Sequence, residues 1–288
     1  MQPDNTFVPS STTLRLARIL LHSWVRMGMP RDSLPWFEQA CADAVAGPAK
    51  NLYMNFSAVG RHAPKTPLGI RPADLDRARK ARPGWMPEKW TVEQAARTAL
   101  LLQRDPRNRE RWLGEVAMLF QHGDLGELVA LYQALPLLPH PEALVDRCAE
   151  GVRSNMTDVF RAVAHDNPFP SENLPEPAWN QMVVKNLFVE LPLAPVQGLD
   201  ARANPSLARM LCDYAEERWS AGRPVSPELW RCVGPHADEA GIRVMERALE
   251  GGDGATKAAV LEALRSCPWP EAGYVLKRHG VSRTEDLP

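Results

Sequence analysis

Isoleucine occurs only three times in 288 residues, threonine nine times and valine 21 times. So small a β-branched supply excludes the sandwiches, barrels and doubly wound sheets that depend on it. Cysteine is scarce too. The five, at positions 41, 148, 212, 232 and 267, form no C-x-x-C and no short Cys/His spacing. That leaves neither a disulfide framework nor a metal site, and fits reduced, buried thiols. No stretch approaches 18 uninterrupted apolar residues, so no membrane span is expected. The opening MQPDNTFVPSSTT is polar, and LRLARILLHSW behind it is broken by Arg15, Arg18 and His22. The chain therefore reads as lacking a signal peptide, with the cytoplasm as its expected location. Net charge is nearly absent, at −1 with a pI near 6.7, which removes any global argument for nucleic acid or an anionic membrane. Also missing are G-x-G-x-x-G, G-x-x-x-x-G-K-S/T, H-E-x-x-H and G-x-S-x-G, the strings of nucleotide folds, zincins and serine hydrolases.

Alanine and leucine are abundant, at 36 and 33 residues. A hydrophobic fraction of 44% beside 24% charged residues supports a real core,. The 27 prolines and 18 glycines lie largely between apolar periodic segments, which punctuates the chain into many short helices. The first helix is expected to be capped by Thr12 or Thr13, with Leu16, Ile19 or Leu20, Trp24 and Met27 facing the core. Asp32 is the expected cap of a second helix holding Trp36, Phe37, Cys41 and Val45. Further helices are predicted near 72–81, 91–104, 108–121, 124–135, 141–153, 157–165, 177–190, 205–221, 226–232, 237–250, 254–266 and 270–278. The runs at 120–135 and 249–264 share a Gly-Asp turn between helices. In that turn Gly123 or Gly252 is expected to leave one helix left-handed, and Asp124 or Asp253 to cap the next. The fold expected is all-α, with stacked HEAT-like helical hairpins forming one domain over 1–288 and a candidate division near 168–178.

Charge is unevenly spread. Residues 61–111 hold 13 Lys or Arg and 6 Asp or Glu, whereas 123–180 hold 3 and 9. These runs are either solvated faces that complement each other or surfaces for different partners. Trp85, Trp90 and Trp112 lie in the basic run, yet no nucleic-acid recognition motif accompanies them, so no such partner is expected. Polar residues concentrate at 52–65, 163–188 and 196–231. Arg61-His62 and His165-Asp166 are candidate ligand or acid/base pairs. The helix at 178–190 is apolar nearly all round, so Asn180 and Lys185 need partners, with Asp200 one candidate for the lysine. Asn204 and Pro205 open the clearest helix, on which Asp213 and Glu217 stand one turn apart. That spacing suits a shared metal, split acid and base roles, or bonds to nearby arginines. If the three blocks converge, Arg61, His62, Lys65, Asn180, Lys185, Asp200, Arg202, Asp213, Glu217, Arg223 and Trp230 form a polar surface suited to an anionic group. The competing reading makes them an internal network that locks helices together.

Several runs carry a family resemblance. MNFSAVGRHAPK, AHDNPFPSENL, WNQMVVKNLFVELPLAPVQGLD, RANPSLARMLCDYAEERWSAGRPVSPELWR and HADEAGIRVMERAL resemble, in order over about 54–266, the EboA family of bacterial proteins. Gly60, Asn186 and Glu190 depart from its motifs. The resemblance implies a small, soluble, helical protein encoded beside a UbiA-like prenyltransferase, a TatD-like hydrolase and a sugar-isomerase-like protein. It implies a role in making a secondary-metabolite precursor or delivering it to the periplasm, and carries over no catalytic residue and no cofactor. The expected activity is binding of a small anionic or isoprenoid-linked metabolite, or of another protein of the pathway, without chemistry. The alternative is an enzyme acting on such a metabolite in a cleft between hairpins.

Overall fold

Ser10 accepts a hydrogen bond from the Thr13 amide and starts the first helix one turn's reach ahead of the expected threonine caps,. This computed structural model describes residues 7–282. It is 72% helical, with 16 helices and, among the described residues, no strands. The chain is all-α. It divides into two compact units, residues 1–175 and 176–288. The first contains α1 (Ser11–Gly28), α2 (Leu34–Ala46), α3 (Ala49–His62), α4 (Pro72–Ala81), α5 (Val92–Gln103), α6 (Arg109–His122), α7 (Leu125–Ala134), α8 (Val145–Arg153), α9 (Thr157–Ala164) and α10 (Phe169–Asn173). The second contains α11 (Glu176–Phe188), α12 (Pro205–Ser220), α13 (Trp230–Val233), α14 (Glu239–Gly251), α15 (Gly254–Ser266) and α16 (Pro270–Arg278).

In the first unit α5 is the centre, packed against α1, α2, α3 and α7. A capping box sets its start: Thr91 Oγ1 accepts from the Gln94 amide, and Gln94 returns its side chain to the Thr91 amide,. Helices on several sides leave α5 no solvent stripe, so Glu93 and Arg97 are buried together as an ion pair of 2.7 Å. The expected face of α1 is displaced. Ala17, Leu20, Leu21, Trp24 and Val25 are buried, while Leu16, Ile19 and Met27 are exposed. Trp24 lies 5.5 Å from Trp85 between ring centroids, and Trp85 lies 6.1 Å from Trp90. With Trp24 locked there, the inward arc turns away from Leu16 and Ile19. Two further buried arginines hold connections in place. Arg82 bonds Glu172 and the Pro136 and Pro83 carbonyls. Arg104 bonds Glu115 and the Ala44 and Gly47 carbonyls.

In the second unit α12 packs on α13 and α14, and α15 on α13, α14 and α16. Asn204, Asp238 and Asp253 cap α12, α14 and α15 through their side chains. A Cβ at Gly234 would meet the Ala263 carbonyl at 2.3 Å, so only glycine allows the chain to approach α15 this closely,. The two Gly-Asp turns hold their predicted aspartate caps, but neither glycine is left-handed. Gly123 has φ −66 and Gly252 φ −79. Both helices end straight into extended chain, and a Cβ would stand 2.9 Å from the Leu119 carbonyl or 2.5 Å from that of Ala248. The glycines answer crowding by the last helical turn, which a sequence pattern cannot separate from a left-handed cap. Asp32, expected as a cap, lies instead in a short 3-10 turn, and α2 starts without a side-chain cap.

Candidate functional site

The entry to α5 builds the best-furnished concavity of the first unit. Residues 64–68 lie along the approach to that helix. The Leu68 amide donates to the Trp90 carbonyl at 3.0 Å, Val92 to Thr66 at 3.0 Å and Glu93 to Pro64 at 3.1 Å. This brace leaves Lys65 beside Trp90, Thr91 and Gln94. The opposite wall comes from the start of α7, where Asp124 and Glu127 form a second capping box, and from Asp158, Arg161 and Ala162 of α9. His165, Asp166 and Asn167 close one end. Asn167 fixes that corner by donating to the Tyr132 and Ala162 carbonyls at 3.1 and 3.0 Å while accepting from the Phe169 amide at 3.0 Å. Asp166 takes a left-handed φ of 52, which aspartate tolerates better than most residues,. Its carboxylate meets Lys89 at 2.8 Å. The cleft encloses about 650 Å³.

Each lining carboxylate has a partner. Asp158 pairs with Arg161 at 2.9 Å, Asp166 with Lys89, Glu93 with Arg97, and Asp124 accepts from the Glu127 amide at 2.8 Å. Gln133 also lines the cleft, but its Oε1 is closed off from solvent and has no hydrogen-bond partner among the described residues. The basic and acidic runs of the sequence meet across this unit, since Lys89, Arg82 and Arg109 of one pair with Asp166, Glu172 and Glu142 of the other. Trp85, Trp90 and Trp112 of the basic run are buried and offer no stacking platform. Among the described residues no group of three His, Cys, Asp or Glu is placed to hold a metal ion, and no helix is long and apolar enough to cross a membrane.

The eleven residues expected to form one surface divide between the two units. In the first, Arg61 is exposed at the end of α3, and His62 stacks on Trp36 with centroids 3.9 Å apart. Of the expected residues in this unit, Lys65 alone lines the cleft. In the second, Asn180 and Arg202 come together. The buried Asn180 amide exchanges hydrogen bonds of 2.9 and 3.2 Å with Asn204, and the Arg202 guanidinium lies 4.8 Å from the Trp179 ring. Burial lowers the pKa of Arg202 and of the half-buried Lys185. Asp200, the acid suggested for Lys185, gives both oxygens to Arg231. That pair borders a largely apolar concavity of about 640 Å³ walled by Leu193, Leu199, Ala259 and Ala263. Asp213 and Glu217 stay on the exposed face of α12, while Arg218 pairs with Glu190. Arg223 lines a separate hollow beside Trp219 and Arg247. Trp230 is fully buried against Trp219, 6.2 Å between centroids, as part of the core. Within the second unit the expected residues thus serve several places rather than one.

Sequence reasoning missed Glu93, Gln94, Asp124, Gln133, Asp158 and Arg161 as cleft residues. The capping signatures of Thr91 and Asp124 were readable, but nothing in one chain says that two helix starts face each other. His165 and Asp166 were found through the polarity of their block. The model of one family, described as Metabolite traffic protein EboA, matches residues 17–234. That range begins well before the resembling runs and ends before HADEAGIRVMERAL, which lies at 236–249. No curated protein and no solved structure matches. The match takes in every residue of the 650 Å³ cleft and most of the chain, and its description ties the family to metabolites: the chain belongs to the EboA family.

Proposed function

We propose that this EboA protein binds a metabolite, without chemistry of its own, in the cleft between Lys65 and Asn167. We further propose that it serves in making a secondary-metabolite precursor or delivering it to the periplasm, alone or with another protein of that pathway. One observation carries the reading. Two of the three polar blocks, 52–65 and 163–188, are about 100 residues apart in sequence, yet Lys65 of one and His165, Asp166 and Asn167 of the other line the same cleft. Its volume is that of ordinary small-molecule sites. Binder is favoured over enzyme because every lining carboxylate is already held by a cation or an amide, leaving none poised as a general base,. From the sequence-derived set we retain Lys65 as the ligand-facing group. The reading is tested by mass spectrometry of small molecules that co-purify with the chain from its native host. Val129 lines the cleft from α7 and is half-buried, so Val129→Trp fills the space without opening the core. A metabolite present with the parent chain and absent with Val129→Trp, at an unchanged melting temperature, is the expected result. Retention by Val129→Trp overturns the cleft, and turnover of the retained molecule by the parent chain replaces binder by enzyme.

A further inference from the structure

A second concavity of the first unit, of about 540 Å³, lies between the start of α1, the end of α2 and the link from α5 to α6. Its charge sets it apart. The cleft carries three Lys or Arg against four Asp or Glu, the apolar concavity of the second unit one against three, and the hollow beside Trp219 two against two. Here Arg15, Arg18, Arg104 and Arg107 share a lining whose one acid is Asp105. Asp105 is spent on Arg107, which it meets with both oxygens, and buried Arg104 is spent on Glu115 and the Ala44 and Gly47 carbonyls. Arg15 and Arg18 are left over. Among the described residues neither meets a carboxylate, and the neighbouring helices explain why. α1 contains no Asp or Glu. On α2, Glu38 gives its two oxygens to His22 and Arg26, and Asp43 accepts from Gln39 and Asn55.

Two guanidiniums three residues apart on one helix are neighbours on its surface. Each keeps a planar fork of donors that matches a carboxylate or phosphate in bidentate contact. Arg15 is exposed and Arg18 half-buried, so both are open to an incoming group. An anion settling between them breaks no internal ion pair. The rest of the lining is largely apolar, with Leu14 from α1, Val45 from α2, Leu102 from α5 and Pro106 from the link. We propose that this concavity is a second ligand site, for a small amphipathic anion whose carboxylate or phosphate sits between Arg15 and Arg18 and whose apolar body lies against Leu14, Val45 and Pro106. The site shares no lining residue with the cleft between Lys65 and Asn167 and stands whether or not that cleft holds the metabolite. The anionic group that the sequence assigned to Arg61, Arg202 and Arg223 thus finds its uncompensated cations on two arginines that the sequence showed only as breaks in an apolar run.

Titration calorimetry of the full chain tests it, with octyl phosphate and octanoate set against inorganic phosphate and octan-1-ol. At least one octyl anion is expected to bind about tenfold more tightly than either control, and less tightly as salt rises. Replacing both arginines, Arg15→Gln with Arg18→Gln, should cut that affinity about tenfold or more at an unchanged melting temperature, because neither side chain holds an internal carboxylate. Val45→Glu, which puts an acid on the exposed part of the apolar wall, should weaken binding as well. Arg209→Gln removes an exposed arginine of α12 in the other unit and should change nothing. No binding of either octyl anion, a control that binds as tightly, unchanged binding by the double variant, or an equal loss in Arg209→Gln each overturn the proposal. Vesicles separate the sources of such an anion. The chain is expected to stay in solution beside phosphatidylglycerol vesicles, and sedimentation with these but not with phosphatidylcholine vesicles overturns the free molecule in favour of a lipid surface.

Discussion

Asn204 shows how one side chain can hold more than its sequence signal announces. Asn-Pro before an apolar run predicts a cap, and Asn204 Oδ1 does accept from the Leu207 amide at 2.8 Å. The same amide also exchanges hydrogen bonds with buried Asn180 and donates to the Arg202 carbonyl at 3.1 Å. Loss of a cap costs about 1 kcal/mol, and leaving a buried amide unpaired adds about 1–3 kcal/mol. Asn204→Ala is therefore expected to lower stability by about 2–4 kcal/mol in chemical denaturation. Asn204→Asp, which keeps the cap acceptor and loses both donors, should fall between. A loss confined to the cap's share would mean that Asn180 finds another partner. The cap was legible because capping is local in sequence. The partnership was not, since Asn180 lies 24 residues away on another helix.

At the scale of elements, helices with a side-chain cap or an N-terminal proline stood out in the sequence. The bounds 72–81, 254–266 and 270–278 coincide with α4, α15 and α16. α3 went unread because it starts behind Pro48 with no side-chain cap and carries polar residues that look like a loop. The faces of helices were read less well than their ends, as the exposed Leu16 and Ile19 of α1 show. Which apolar residues point inward depends on neighbours such as Trp85, and one helix's periodicity does not name them. The link between α5 and α6 shows a further hidden element, the buried Arg104–Glu115 pair with Arg111 beside it at 2.9 Å. Burial works to raise the Glu115 pKa, but hydrogen bonds from Arg104 and Arg111 outweigh it and hold the carboxyl below its ordinary 4.5. A carboxyl depressed on folding contributes stability above its unfolded pKa and loses it as pH falls through the folded one. The chain should accordingly lose stability below pH 4.5, and Glu115→Gln should flatten that part of the profile. Glu115→Gln should also cost about 3–5 kcal/mol at neutral pH, because Arg104 is left buried without its counter-ion. Denaturation midpoints across the acid range for both chains are the check, and parallel curves would exclude Glu115 as the source.

For the whole molecule, nearly zero net charge conceals an internal division of labour. The basic run at 61–111 and the acidic run at 123–180 read in sequence as faces that either complement each other or serve separate partners. In the first unit three ion pairs join them, and one of the three, Lys89 with Asp166, lines the cleft. That meeting explains why the site carries many charges and no net one, and why composition pointed away from nucleic acid without pointing to any ligand. Composition and punctuation made the all-α class plain. The site was legible only as polar blocks, because convergence across a hundred residues is a property of packing. The cleft and the residues that support it, including Arg97, Tyr132, Asn167 and both capping boxes, all belong to residues 1–175. So do α5 and every helix that shares its core. A chain of residues 1–175 alone should therefore fold cooperatively, with the helical circular dichroism and sharp thermal transition of a packed domain. It should also retain the metabolite that co-purifies with the full chain. A broad, non-cooperative melt would show that residues 176–288 are needed to complete the first unit's fold. A sharp melt with the metabolite lost would place the ligand's essential contacts beyond Pro175 and bring Asn180, Lys185 and Arg202 back as its ligand-facing groups.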